Sequence, residues 1–335
     1  NHSQSGRGSG RAIFNGACLV PEHVILVTFN IRLGVLGFLT HPVLDVEQPE
    51  HVSGNYGNLD QIAMLRWLRA NIEAFGGDPK RVTLFGTSAG GANICGLLTS
   101  PLAEGLFHAV SMQSSVPTGC QFQTLAQAQS RTGLRLVEAV GCDTAECLRS
   151  TSVTELILAV QAVTNLFPRT YGPVVDGYVF PDQPLQRIRD GLAARIPVII
   201  GNTAEETSSW ADGVVQVADA GSYATGIERV FGTVLRDQVL DEYPVTAYPT
   251  PRAAFVRATT DALFMCQSRR VARALIGSGG GPVYRYVFTH TLENSPDVGV
   301  PHSYEYPFFF TFRTYIPGDS DRLVAQQMVT SWTQL

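Results

Sequence analysis

Lysine is nearly missing from this sequence: Lys80 is the only one, and arginine supplies the remaining positive charge. The formal net charge is −5. With no basic run interleaved by aromatics, that balance gives no electrostatic case for nucleic acid or an anionic membrane surface as partner. Long hydrophobic runs are missing as well. No stretch of about 18 uncharged apolar residues occurs, so no membrane span is expected. The polar, Gly/Ser-rich residues 1–11 lack the charged start and apolar stretch of a secretory signal. There is no internal repeat, heptad run or low-complexity tract. The six cysteines, Cys18, Cys95, Cys120, Cys142, Cys147 and Cys266, are scattered, and none has zinc-site spacing with histidines. Cys142 and Cys147 sit close together in the loop-like residues 140–149. A small disulfide loop and two unrelated thiols both remain open there.

What is present is an ordinary globular composition, 44% hydrophobic and 16% charged, sufficient for a buried core. The first two-thirds alternates strand-like and helix-like segments. Residues 24–30 (VILVTFN) form a continuous apolar, β-branched run, the pattern of a strand buried on both faces. Residues 58–74 follow with a helical stripe of Leu59, Ile62, Leu65, Leu68 and Ile72, ended at Gly76-Gly77-Asp78-Pro79. Strands are predicted at 82–85, 109–113, 197–201 and 283–289, those at 82–85 and 197–201 buried, and helices at 89–99, 125–140, 153–163, 261–276 and 321–335. This order predicts a mostly parallel central sheet with helices on both faces, an α/β class, in one domain over 1–335. The looser residues 120–195 read as a mainly helical inserted cap.

The strongest local signal is Gly86-Thr87-Ser88-Ala89-Gly90, the G-x-S-x-G pattern of a nucleophile elbow. A sharp strand-to-helix turn holds the serine out at the sheet's C-terminal edge, and glycines let backbone approach the turn closely. The following amide, of Ala89, lies at a helix N-terminus, where N–H groups stabilise a developing oxyanion. The sequence VTLF before the motif and AGGANICGLL after it read as strand then helix, which is the confirming context.

A nucleophilic serine needs a base, and the base needs an orienting acid. Downstream histidines are His108, His290 and His302. His108 sits before a strand and reads as a capping or packing residue, and His290 ends the last strand. His302 lies in a loop beyond that strand, where a catalytic base belongs, so position favours it over His290. The acid belongs after the strand at 197–201. Glu205 and Glu206 are adjacent there and point in different directions, and spacing does not choose between them.

Ordered blocks extend beyond these residues. They include Phe14-Asn15-Gly16, Asn30-Ile31-Arg32-Leu33-Gly34-Val35-Leu36-Gly37-Phe38, Gly54-Asn55-Tyr56-Gly57-Asn58-Leu59-Asp60-Gln61 and Phe75-Gly76-Gly77-Asp78-Pro79. The elbow, Leu106-Phe107-His108 and Pro173-Val174-Val175-Asp176-Gly177 follow in order. With these blocks the chain resembles the type-B carboxylesterase family, α/β-hydrolases that include cholinesterases and bacterial p-nitrobenzyl esterases. The resemblance covers nearly the whole chain. It implies a serine hydrolase that cleaves small-molecule carboxylic esters through Ser88, Glu206 and His302, with Glu206 rather than Glu205 as the acid. It implies Ser114 near the base, Trp210 near the acyl or alcohol pocket, and a Cys142–Cys147 disulfide, hence a secreted or periplasmic setting. No metal or organic cofactor is implied.

The departures carry expectations of their own. Thr87 stands where glutamate usually precedes the nucleophile, which weakens any case for a cationic substrate. Ser303 follows the base where glycine is common. The family's His-Gly-Gly oxyanion motif would fall at or just before Asn1, and neither Ser3-Gln4-Ser5 nor Gly8-Ser9-Gly10 substitutes for it. On the resemblance, the chain is therefore an internal fragment of a bacterial member, truncated at both ends. The rival readings are a non-catalytic adhesion or binding member of the same fold, and an amidase or thioesterase on the same triad.

Overall fold

The structure, a computed structural model, describes residues 16, 19–115, 119–163, 171–310 and 315–335. Its centre is a four-stranded parallel sheet of β1 (Thr83–Thr87), β2 (Ala109–Gln113), β5 (Val198–Thr203) and β6 (Val283–Phe288), in the order β1-β2-β5-β6. The strands β3 (Gln123–Thr124) and β4 (Val174–Val175) make a small separate parallel pair. In the central sheet the register aligns Thr87 with Gln113, Gln113 with Gly201 and Gly201 with Tyr286. The C-terminal ends of all four strands therefore lie along one edge.

Both faces of this sheet are covered, and strand alternation sorts the side chains between them. Leu84, Val110, Met112, Val198, Ile200 and Val283 enter one apolar cluster with Ile62, Leu65, Ile94, Ile188 and Val271 from helices. Phe85, Tyr286 and Phe288 face the other way, into a cluster with Phe308, Phe309, Met328 and Trp332. Trp332 also donates its indole N–H to Ser111 Oγ at 2.6 Å, from the helix Asp319–Thr333 to the middle of β2.

The helix Tyr56–Asn71 buries Ile62, Leu65 and Leu68 as its stripe requires. A single 3₁₀ turn, Ile72–Phe75, extends it, and Gly76 closes it at φ 82°, a left-handed value that suits glycine. Three features depart from the sequence reading. Residues 24–30 belong to neither sheet among the described residues, although Leu26 packs against the second cluster. Their β-branched composition supplies strand propensity, but a strand is made by its ladder partner, which propensity does not provide. The 125–140 segment is two helices, Leu125–Ala128 and Leu134–Val140, joined through a wider turn at Gln129–Gly133. Finally, the 23-residue helix Ala220–Glu242 and the helix Pro251–Thr260 were not expected. Glycines at 221, 226 and 232 argue against a helix locally. Tertiary packing overrides them: a Cβ at Gly226 would lie 2.6 Å from Val215 and 2.9 Å from Phe255, so glycine permits the close approach of the two helices. At Gly232 the helix breaks, with φ 77°.

Two cysteine pairs lie at disulfide distance. Cys142 and Cys147 have Cα atoms 5.5 Å apart, and Cys95 and Cys120 have theirs 5.8 Å apart. The sequence reading did not find the second pair, because 25 residues separate its members and nothing local links them. It sits in the first apolar cluster, with Cys95 fully buried. A disulfide stabilises more as the closed loop lengthens. Replacing Cys142 and Cys147 by Ser is expected to cost about 1–2 kcal/mol, and replacing Cys95 and Cys120 by Ala about 3–4 kcal/mol. Denaturant unfolding of the two double variants, with peptide mapping of the non-reduced parent, checks both. Four free thiols in protein made under oxidising conditions would refute the pairing.

Candidate active site

Ser88 joins β1 to the helix Ala89–Leu97. Its φ of 59° and ψ of −121° are strained for a residue with a side chain, at a typical cost of about 1–3 kcal/mol. Backbone bonds on both sides hold it there. The Ser88 N–H donates to Gln113 O at 2.9 Å, extending the ladder, and Ala92 N–H donates to Ser88 O at 3.1 Å, starting the helix. Its hydroxyl does not cap the helix, so it remains available for other chemistry. Ala89 is the first helical residue, and its N–H has no partner within the helix. The steric demand on the elbow falls on Gly86 and Gly91. A Cβ at Gly86 would meet the Gly90 carbonyl carbon at 3.0 Å, and one at Gly91 would meet Ser115 Oγ at 2.5 Å. Gly90, the second glycine of the pattern, has open space around its Cβ position among the described residues.

Glu206 and His302 come together. Glu206 is fully buried; its Oε1 accepts from Thr203 N–H at 2.9 Å and its Oε2 lies 2.5 Å from His302 Nδ1. With the carboxylate ionised, Nδ1 carries the proton and donates, which leaves Nε2 as the acceptor. Strands in a sheet are spaced about 4.8 Å apart, so the acid loop after β5 lies roughly 10 Å across the edge from Ser88.

Glu205 does a different job. Its N–H donates to Val300 O and its Oε2 accepts from Val300 N–H, both at 3.1 Å, so it clamps the segment that leads into His302. His290 is bonded at Nε2 to Asp321 Oδ1 at 2.7 Å, and His108 Nδ1 accepts from Val82 N–H at 3.3 Å. Both are tied to neighbouring structure away from Glu206. Trp210 packs on the base, with ring centroids 5.1 Å apart, and Phe264 lies against His302 at 5.4 Å. Thr87 is buried, with its hydroxyl on Gln113 Oε1 at 3.2 Å. Ser303 sits at φ 65°, so the family's common glycine is the unstrained residue at this place.

Two neighbours were not singled out from the sequence. Phe264 reads as one more core position of an apolar stripe. Glu305 is nearly fully buried and accepts from Tyr286 OH at 3.0 Å and Ser114 Oγ at 3.4 Å. Burial, followed by the charge of Glu206, raises its carboxyl to about 7. Its sequence signal is its place in residues 302–305, which resemble the family's His-Gly-x-Glu stretch, although no role was read for it. Among the described residues no three His, Cys, Asp or Glu side chains group in a way that could hold a metal ion.

The sequence profile of the Carboxylesterase family matches residues 3–335. The chain belongs to the carboxylesterase family. This family chain is 35% identical over 312 residues to the fumonisin B1 esterase of Sphingopyxis macrogoltabida, covering 90% of itself and 55% of that protein. It is 33% identical over 313 residues to the para-nitrobenzyl esterase of Bacillus subtilis (strain 168), covering 91% of itself and 61% of that protein. A solved PNB esterase structure superposes with a TM-score of 0.81 at 29% identity, over 99% of this chain and 70% of that one. The α/β-hydrolase fold expected from the sequence is therefore the fold of the molecule. The chain spans little more than half the length of the first of these relatives. The place where the family's His-Gly-Gly motif was expected, at or just before Asn1, and Phe14-Asn15 fall outside the described residues.

Proposed function

We propose that this carboxylesterase-family chain carries the chemistry of a serine carboxylic-ester hydrolase. The observation that supports it most is the His302–Glu206 bond at the edge where the Ser88 turn emerges. In this reading His302 takes the Ser88 proton as Ser88 Oγ attacks the ester carbonyl. The Ala89 N–H faces the developing oxyanion. The protonated base then delivers its proton to the departing alcohol, and water, activated by the same base, releases the acid from the serine. The substrate is a small-molecule ester. Thr87 in place of a carboxylate favours a neutral ester over a cationic one.

The two cysteine pairs support an oxidising setting, secreted or periplasmic. No helix among the described residues is long and apolar enough to cross a membrane.

The test is a panel of p-nitrophenyl esters, matched p-nitroanilides and thioesters, each with the parent chain and Ser88→Ala. Turnover of short-chain esters above the other two classes, lost in the variant, is the expected result. Faster turnover of anilides or thioesters would move the chain to amidase or thioesterase. Turnover equal in parent and variant would place the chemistry elsewhere.

A further inference from the structure

Thr207, the residue after the buried acid, is bonded at every polar atom. Its N–H donates to Thr260 Oγ1 at 3.4 Å, and its carbonyl accepts from the N–H groups of Trp210 and Ala211 at 3.2 and 2.9 Å. Its hydroxyl lies 2.7 Å from Thr259 Oγ1, 3.1 Å from Val256 O and 3.3 Å from Thr260 Oγ1. All three threonines are buried. Each hydroxyl has one proton to give, and one assignment serves them all. Thr259 donates to Phe255 O, at 2.7 Å, Thr207 donates to Thr259, and Thr260 donates to Thr207.

The helix that carries Thr259 and Thr260 touches the base as well. Pro251–Thr260 continues through a widened turn, Asp261–Met265, into Cys266–Gly277. Such a turn adds a residue to one helical circuit and recurs at functional sites. Phe264 is on that turn, fully buried, with its ring against both His302 and Trp210. It is four residues from Thr260, and residues so spaced share a helix face. That face thus meets the acid loop at Thr260 and the base at Phe264. Trp210, whose N–H is on the Thr207 carbonyl, packs on His302 from the acid loop. The Glu206 carboxylate is bonded to Thr203 N–H and to His302, while Thr207 ties the adjoining backbone to the helix.

We propose that Thr207 is a positioning residue, its hydroxyl fastening the acid loop to the helix that carries Phe264, so that one rigid element sets Glu206 and His302 relative to each other. The inference rests on the esterase reading of Ser88 and His302. The base works only while Glu206 stays within hydrogen-bond reach of its Nδ1. A loop released from the helix loosens that bond. Thr207 is itself buried among threonines, so the loss falls on kcat and leaves KM in place.

The experiment compares the parent with Thr207→Val, which keeps the shape without the hydroxyl, and Thr207→Ser, which keeps the hydroxyl. Thr259→Val removes the partner on the helix side. The readings are kcat and KM on a short-chain p-nitrophenyl ester, the rate of Ser88 labelling by a fluorophosphonate, and the downfield proton signal of His302 Nδ1–H, assigned by its loss in Glu206→Ala. Thr207→Val is expected to lower kcat and the labelling rate about tenfold at unchanged KM, and to move the His302 signal upfield, since small misplacements of an acid–base pair are felt in turnover. Thr207→Ser is expected to bring the rates back to within about twofold of the parent and the signal back to its place. A merely structural threonine would lower the unfolding midpoint of Thr207→Val and leave kcat and the His302 signal unmoved. That result overturns the proposal, as does a Thr207→Ser chain that restores neither. If Thr207→Val does not fold, Thr259→Val decides, and an unmoved signal with an unchanged rate overturns it. A parent that neither turns over ester nor labels at Ser88 refutes the esterase reading instead, and the His302 signal still decides the role of Thr207.

Discussion

Replacing Ser88 by alanine is expected to remove ester turnover almost entirely. Loss of the nucleophile from an interdependent triad costs on the order of 10⁶ in kcat, with residual catalysis from the oxyanion donor and binding alone. A fluorophosphonate should label the parent once, at Ser88, and leave Ser88→Ala unlabelled by mass spectrometry. The fold should survive the change. The elbow is held by backbone bonds from Ser88 N–H to Gln113 O and from Ala92 N–H to Ser88 O, none of which needs the hydroxyl. An adduct on another residue, such as Ser114 or Ser303, would sink the assignment.

The second large effect separates two adjacent acids. Glu206→Gln should lower turnover by about 10³–10⁴, because an amide in place of the carboxylate no longer favours the Nδ1–H tautomer or stabilises the imidazolium. Glu205→Gln should cost less than about tenfold. It disturbs one bond to Val300 N–H, and the neighbouring Glu205 N–H to Val300 O bond keeps the segment in place. Both are read from kcat on a short-chain p-nitrophenyl ester. The reverse ranking would transfer the orienting role to Glu205.

These two acids also show how far the sequence reaches. The loop after β5 was legible as the place for an acid, because a buried strand ends there and loops at that edge carry function. Which of the two meets the histidine was open from spacing and was chosen only through the family resemblance. The structure shows the two pointing apart: Glu206 bonds His302, and Glu205 turns along the chain toward Val300. The same holds for His302 against His290. Position after the last strand favoured one, and the bond from His290 to Asp321, 31 residues away, accounts for the other. Glu305 was legible only as the acid of the stretch 302–305 that resembles the family's His-Gly-x-Glu block. Its burial and its two donors, on β6 and just beyond β2, depend on strands that the sequence separates by well over a hundred residues.

Local chemistry by itself determined the elements with strong local codes. The stripe of Tyr56–Asn71 and the strand at 109–113 were legible because their periodicity lies within a dozen or so residues. So was the Ser88 turn, because a glycine-bounded serine between a strand and a helix has few other conformations open to it. Only the tertiary structure decided whether an apolar run becomes a strand, as at 24–30, or a glycine-rich segment becomes a helix, as at Ala220–Glu242. It also decided which cysteine meets Cys95 and which acid holds the histidine. Each of those outcomes depends on a partner far away in the chain. Ladder pairing, close helix approach and burial of a carboxylate are energies of pairs, and one member's local sequence does not contain them.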